Sequence, residues 1–278
     1  MTRLQLIVLA ICLSIGAGLF FFGKMTALKS ESATVSADAA PMDTESLLLI
    51  SRSALNAQEQ DKLADIEKAL DTVKAAPQRE ALCRSLAAFW ETKSDWGAAA
   101  VWYERAAAES KNALAYALAG TRYLAAADMA TDTVLLQYLQ GSAIRNFESA
   151  EQLDPENLDI QADLGQALTV GTTQPMQGIQ KLLGIVQKEP KHLKANFHLA
   201  QLAIRSEQHD KAEKRFRDIL GWYPGFADAY LGLGEALYKQ GKTTEAIQAL
   251  EDYKALSKDP SILAQVDNFI QQIKSSTP

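Results

Sequence analysis

The sequence has few residues of the kinds that build metal sites, disulfide frameworks or β-sheets. Its 278 residues include two cysteines and three histidines. Cys12 lies in an apolar run and Cys83 in a helical pattern, so we expect no disulfide between them and predict that Cys83 is buried. No segment alternates apolar and polar residues as a half-buried strand does, which excludes a sheet and favours an all-α fold.

Acidic residues are missing from the first 30 positions. Three of the 28 basic residues lie there (Arg3, Lys24 and Lys29), whereas all 34 acidic residues follow. The rest of the chain therefore has 25 basic and 34 acidic residues and a net charge of −9. A negative body of this kind repels the phosphates of nucleic acids, so we expect no nucleic-acid binding.

The N-terminal run from Leu4 to Phe22 is apolar apart from Gln5 and Ser14. As a helix it is just long enough to cross a hydrocarbon core of about 30 Å. A secretory signal peptide needs a small-x-small cleavage site soon after a shorter apolar core, and none follows here. The pattern favours a single uncleaved transmembrane anchor within residues 1–29, with residues 4–22 in the membrane.

Two features give opposite orientations for this anchor. Lys24 and Lys29 follow the apolar run, and the excess of basic residues on that side favours a cytoplasmic body. The next stretch, residues 30–43, is rich in Ser, Ala, Thr and Asp and is predicted to be a flexible linker typical of an extracytoplasmic tether. We favour a single-pass protein of the bacterial inner membrane whose body lies on the periplasmic side.

Four prolines recur at nearly constant spacing in the second half of the chain. Pro155, Pro190, Pro224 and Pro260 are separated by 35, 34 and 36 residues. Proline cannot continue a helix, because it lacks an amide hydrogen and clashes with the preceding turn. Regular helix breakers between segments of helical periodicity indicate a solenoid.

Small and large residues recur in register between those prolines. Each unit has a large residue followed by a small one and, further along, a second small residue. The three sets are Leu164, Gly165 and Gly178; Leu199, Ala200 and Ala212; and Leu233, Gly234 and Ala246. This spacing resembles the tetratricopeptide repeat (TPR), in which small residues let the two helices of a hairpin approach closely. The resemblance implies an all-α, right-handed superhelix of TPR hairpins, preceded by the single transmembrane helix.

The resemblance also predicts how the chain is divided. Residues 80–260 would hold about five repeats, one of which has about ten extra residues near 126–138, either as lengthened helices or as a looped insertion. Residues 44–79 resemble a degenerate helical hairpin that caps the N-terminal end. Residues 261–278 are predicted to form a C-terminal capping helix and tail, because their apolar residues share one helical face.

TPR proteins commonly bind partner peptides on a concave surface that is lined by the first helix of each hairpin. The resemblance therefore implies a peptide-binding groove at the inward-facing positions of three successive repeats. Those positions hold Asp159, Gln166, Lys194, Phe197, Gln201, Arg205, Asp228, Leu231 and Glu235. Cations, anions and apolar side chains together suit an extended peptide. The alternative is that these are ordinary solvated residues, some of which pair with one another.

No catalytic or ligand-binding arrangement accompanies the repeats. The three histidines, His192, His198 and His209, are spaced too irregularly to converge on one metal ion, and we expect them at the surface. The sequence has no glycine-rich phosphate loop that follows a strand and no Ser–His–Asp arrangement. We therefore expect no enzymatic activity, no metal and no cofactor.

These expectations together describe a membrane-anchored scaffold or adaptor that binds other proteins and helps to assemble a complex of the cell envelope. The alternative is a translocon-associated, chaperone-like periplasmic factor that binds unfolded clients. A scaffold has one or two stoichiometric partners, whereas a chaperone binds many clients weakly. Self-association through the ends of the solenoid, which would give a homo-oligomer, also stays open.

Overall fold

Thirteen α-helices and no strand form in the residues that the computed structural model describes, 42–173 and 175–276. They are α1 Thr44–Ser53, α2 Ala57–Thr72, α3 Ala76–Glu91, α4 Trp96–Ser110, α5 Ala113–Met129, α6 Thr133–Leu153, α7 Leu158–Gly171, α8 Pro175–Lys188, α9 Leu193–Arg205, α10 His209–Trp222, α11 Ala227–Lys239, α12 Thr243–Leu256 and α13 Pro260–Ser276. The prediction of an all-α fold is confirmed for this part of the chain.

The predicted membrane anchor lies outside the described residues. Residues 1–29, with their apolar run, and most of the predicted linker of residues 30–43 fall there, so both stay predictions. Among the helices of the described part, none is long and apolar enough to cross a membrane.

Consecutive helices from α3 to α12 pack as five helical hairpins: α3–α4, α5–α6, α7–α8, α9–α10 and α11–α12. We call the earlier helix of each hairpin its first helix and the later one its second helix. Each hairpin also packs against the next, as α4 does on α5 and α10 on α11. The final helix α13 packs on α12 and buries Val266, Ile270 and Ile273, so it covers the apolar face of the last hairpin.

The turns inside three hairpins have the left-handed backbone conformation at corresponding positions. Ser94, Glu207 and Gly241 have φ angles of 56°, 58° and 75°, and each lies seven residues after the small residue of the first helix. Only glycine adopts this conformation without a steric cost from Cβ. The repeat thus imposes one turn geometry on three different residues.

Glycines bring the two helices of the third hairpin, α7 and α8, into backbone contact. A Cβ atom on Gly178 would lie 2.3 Å from the carbonyl oxygen of Gly165, which is far inside van der Waals distance. In the fifth hairpin, the Leu250 side chain packs directly on Gly234. A Cβ atom on Gly234 would lie only 2.8 Å from that leucine side chain. The predicted role of the small residues as points of close approach is confirmed.

The extra residues near 126–138 lengthen two helices. α5 has 17 residues and α6 has 21, and only residues 130–132 connect them. Leu135, Leu136 and Tyr138 on α6 are partly buried against the core. Of the two forms that the sequence allowed, lengthened helices or a looped insertion, the structure has the first.

The N-terminal boundary differs from the predicted one. The division expected between residues 79 and 80 falls inside α3, because Pro77 lies in the first turn of that helix, where its missing amide hydrogen costs nothing. The helix α1 packs mainly on α4, where Leu47 covers Gly97. Residues 44–72 therefore form two helices, of which the first lies on the second helix of the first hairpin.

Candidate functional site: a concave surface lined by the first helices

The first helices lie on the inner side of the stack. α5 packs on α7, α7 on α9, and α9 on α11. Successive second helices are instead joined by long side chains, such as Lys181–Glu151 between α8 and α6. Because first helices approach each other more closely than second helices do, the stack curves with the first helices on its concave surface.

All nine residues that the sequence placed in the groove lie on α7, α9 and α11. The structure leaves Asp159, Arg205 and Asp228 exposed, and it partly buries Gln166, Lys194, Phe197, Gln201, Leu231 and Glu235. The surface is therefore accessible at the inward positions of three adjacent hairpins. Whether it binds a peptide stays a prediction.

One groove cation is already engaged by the protein itself. Lys194 Nζ on α9 donates a hydrogen bond of 2.8 Å to Asp163 Oδ2 on α7, and the Asp163 side chain is only 16% exposed. The sequence analysis did not single out Asp163. It lies four residues after Asp159, a spacing that places both residues on one face of the helix.

Arg205 lies at the other end of α9. Desolvation by neighbouring protein atoms lowers the pKa of its guanidinium, although the residue keeps an exposed surface, and the carboxylate of Asp128 on α5 opposes that shift. The acidic neighbour of Arg205 therefore comes from the second hairpin, two hairpins earlier along the chain.

The expectation of surface histidines is wrong for two of the three. His192 and His198 are only 7% and 8% exposed, because they lie where α9 packs on α7. His192 Nδ1 accepts the Ala195 amide hydrogen at 3.3 Å and so caps α9, a role more common for Asn, Asp or Ser. Within residues 42–173 and 175–276, no group of three or more His, Cys, Asp or Glu side chains could hold a metal ion.

Phe197 is mainly a packing residue. Its ring centroid lies 5.2 Å from that of Phe226 and 6.0 Å from that of Phe216, both in edge-to-face geometry. The Phe216 pair stabilises the fourth hairpin internally, and the Phe226 pair joins that hairpin to the fifth. Phe197 is partly buried, so only part of its surface is available to a partner.

The structure extends the candidate surface to α5, which the sequence analysis did not include. Leu114 is 64% exposed and lies six residues before Gly120, as Asp159 lies six before Gly165 and Asp228 six before Gly234. The sequence contains the same spacing. It was not recognised because the extra residues of the α5–α6 hairpin disturb its alignment with the other repeats. At this position of the repeat, α5 therefore has an apolar residue, whereas α7, α9 and α11 have Asp159, Lys194 and Asp228.

Away from the inward positions, an ionic network joins the second helix α10 to the turn between α11 and α12. Glu213 accepts hydrogen bonds from Lys242 Nζ at 2.7 Å, Arg217 Nε at 2.9 Å and Gln240 Nε2 at 3.0 Å. These hydrogen bonds lower the pKa of Glu213 to about 2, and the bond from Lys242 contributes most. Burial of the carboxylate has the opposite effect and raises the pKa.

This network predicts an acid-dependent contribution to stability. Because the pKa of Glu213 falls from its usual 4.5 to about 2 on folding, its stabilising effect is present above pH 4.5 and is lost as the pH falls towards 2. We expect Glu213→Gln to have a lower melting temperature than the parent protein at neutral pH. The difference between the two melting temperatures should become small near pH 2. Exposed Glu156→Gln is the control and should show no such convergence. If the melting temperature of Glu213→Gln were lower by the same amount at every pH, the lowered pKa of Glu213 would be contradicted.

Comparison with known proteins agrees with this geometry. A family model described as tetratricopeptide repeat matches residues 197–260, which span the fourth and fifth hairpins. The described solenoid has the TPR fold. A search of curated proteins found no match.

Solved structures resemble the chain at the level of fold. A TPR protein from Parabacteroides merdae has 16% identity and a TM-score of 0.56, over 84% of this chain and 87% of that one. A thermophilic TPR protein from Thermus thermophilus has 16% identity and a TM-score of 0.54, over 68% and 97%. PilW, described as a type IV pilus biogenesis factor, has 18% identity and a TM-score of 0.50, over 72% and 88%. Identities this low show a shared fold alone.

Proposed function

We propose that this protein is a scaffold that binds other proteins through the concave surface of its TPR solenoid. The observation that carries the proposal is the accessible row of inward positions on α5, α7, α9 and α11, which begins at Leu114 and includes Asp159 and Asp228. The other faces of these helices are occupied in packing between and within hairpins. TPR solenoids generally use such extended concave surfaces for binding.

We also propose that the scaffold is tethered to the bacterial inner membrane with its body on the periplasmic side, where it assembles an envelope complex. The apolar run of residues 4–22 and the Ser- and Ala-rich stretch after it support this placement. PilW, a protein of similar fold, is named as a type IV pilus biogenesis factor.

The test is crosslinking of the tagged full-length chain in cells, followed by identification of the captured proteins. We expect one or two dominant partners in the parent protein and their loss in Leu114→Glu, because a charge there opposes burial of an apolar contact. Leu114 is 64% exposed, so the variant should fold normally. A membrane-impermeant reagent applied to spheroplasts should capture the same partners.

The matched control is Met176→Glu. Met176 is 57% exposed on the second helix α8, so it offers a similar apolar side chain away from the concave surface. If Leu114→Glu retained the partners, or if both variants lost them equally, binding through the concave surface would be rejected. A broad set of weakly captured clients would favour the chaperone-like alternative, and capture by a permeant reagent alone would place the body in the cytoplasm.

A further inference from the structure

We propose that α1 and the apolar residues beside it dock on the surface of a lipid bilayer and hold the solenoid against the membrane. This inference rests on the proposed membrane tether and adds a second contact with the bilayer, made by the folded body. The observation that carries it is an exposed apolar surface at the N-terminal end of the described chain. We call this surface the α1 patch and define it by Leu49, Ile50 and Met129.

The helix α1 is apolar on its outer side as well as on its inner side. Leu47 and Leu48 are buried, and the next two residues, Leu49 and Ile50, are 70% and 57% exposed. Met129, at the end of α5, is 65% exposed. A surface helix of a globular protein normally turns polar residues to solvent and buries one apolar side. The outer side of α1 therefore has apolar surface that packing within the protein does not use.

Two open grooves flank α1 and extend the α1 patch. Ile50 and Met129 line one groove together with Trp96. Leu49 lines the other groove, between α1 and α2, together with Leu63. The α1 patch is therefore a ridge with an open groove on each side. A fluid layer of lipid chains can fill both grooves at once, because helices that lie in a membrane interface bury their apolar side at the boundary between headgroups and acyl chains.

The cations beside the α1 patch are already paired within the protein. Arg52, in the last turn of α1, pairs with Glu67 on α2. Lys93, which lines the same groove as Ile50, pairs with Glu59 on α2. Unpaired basic residues at this place would have indicated anionic lipids or an acidic partner. Because these cations are paired, we expect docking to depend on burial of apolar side chains and not on the charge of the lipid.

The position of α1 in the chain favours a bilayer over another apolar partner. Thr44, the first residue of α1, follows Phe22, the last residue of the apolar run, by 22 positions. With residues 4–22 in the membrane, as proposed, a chain of this length reaches at most about 75 Å even when fully extended. A short tether of this kind gives an effective local concentration in the millimolar range. A contact made by only a few apolar side chains is then populated.

Docking through the α1 patch and binding through the concave surface use different residues. The helix α1 packs mainly on the second helix α4, whereas the proposed binding surface lies on the first helices α5, α7, α9 and α11. A docked solenoid therefore keeps its inward positions accessible to a partner.

The test is lipid photocrosslinking of the full-length chain, reconstituted in phosphatidylcholine vesicles that contain a lipid with a photoreactive group in its acyl chain. Mass spectrometry of the digested protein then identifies the peptides that have bound lipid. We expect crosslinks within residues 4–22 and on α1. Leu49→Gln combined with Ile50→Gln should lower the yield on α1 by about tenfold, because an amide loses its hydrogen bonds to water on entering the lipid. The yield within residues 4–22 should not change.

The matched control is Leu153→Gln combined with Leu256→Gln, at leucines that are 48% and 43% exposed at the ends of α6 and α12. This control should leave the yield on α1 unchanged, and both double variants should melt at the temperature of the parent protein. Adding anionic phosphatidylglycerol to the vesicles should not raise the yield on α1.

The inference is overturned if α1 is not crosslinked, if both double variants lose the α1 crosslinks equally, or if the yield on α1 requires anionic lipid. Crosslinks within residues 4–22 would still support the proposed tether in each of those cases. If residues 4–22 are not crosslinked, the tether is rejected, and the docking of α1 that rests on it is rejected as well.

Discussion

Replacing Gly178 with alanine should destabilise the third hairpin by about 3 kcal/mol, because the new methyl group has no room. Its Cβ would lie 2.3 Å from the Gly165 carbonyl oxygen and 2.9 Å from the Thr169 amide nitrogen, both backbone atoms of α7. Backbone atoms cannot rotate away, so the two helices must separate. Urea denaturation and hydrogen exchange of the α7 and α8 amides would measure the loss.

Gly184→Ala on the same helix is the matched control. A Cβ there would meet no neighbouring heavy atom within 4 Å. The substitution should therefore stabilise the protein by about 0.5–1 kcal/mol, because alanine is the better helix former. If both variants changed stability in the same direction, the close approach of α7 and α8 would be refuted.

Phe216→Ala should cost about 3–5 kcal/mol in the free energy of unfolding, since it empties a fully enclosed aromatic site. The Phe216 ring is 0% exposed and lies between Phe197 on α9 and Gly232 on α11, so it joins the last two hairpins. Leu256→Ala, at a position that is 43% exposed, should change stability by no more than about 0.5 kcal/mol. If the two substitutions lowered the free energy of unfolding equally, the enclosed position of Phe216 between the hairpins would be contradicted.

A double-mutant cycle sharpens this second prediction. A Cβ on Gly232 would lie 2.3–2.8 Å from three atoms of the Phe216 ring, so Gly232→Ala alone should be destabilising. In the Phe216→Ala background the ring is gone, and the same substitution should be neutral or stabilising. Additive effects would show that the ring does not contact Gly232.

The candidate groove was largely readable from spacing, because an inward position recurs at a fixed distance from the small residue of each first helix. That rule placed Asp159, Lys194 and Asp228 on one surface. It could not show that Asp163 binds Lys194, nor that Phe197 packs between hairpins, because both contacts depend on how adjacent repeats are rotated about each other. Leu114 was not predicted, although it has the same spacing, because the lengthened helices α5 and α6 made this repeat difficult to align.

The sequence alone determined the helical class and the repeat, since periodic apolar residues, small residues and prolines encode them locally. Prolines placed the repeat boundaries because their effect on the backbone does not depend on distant contacts. Burial of His192 and His198, the pairing of groove charges and the packing of α1 on α4 were decided by the tertiary structure. Each of these depends on side chains that are 30 or more residues apart, such as Lys194 with Asp163 and Arg105 with Glu45. A local pattern contains no information about such pairs until the hairpins have stacked.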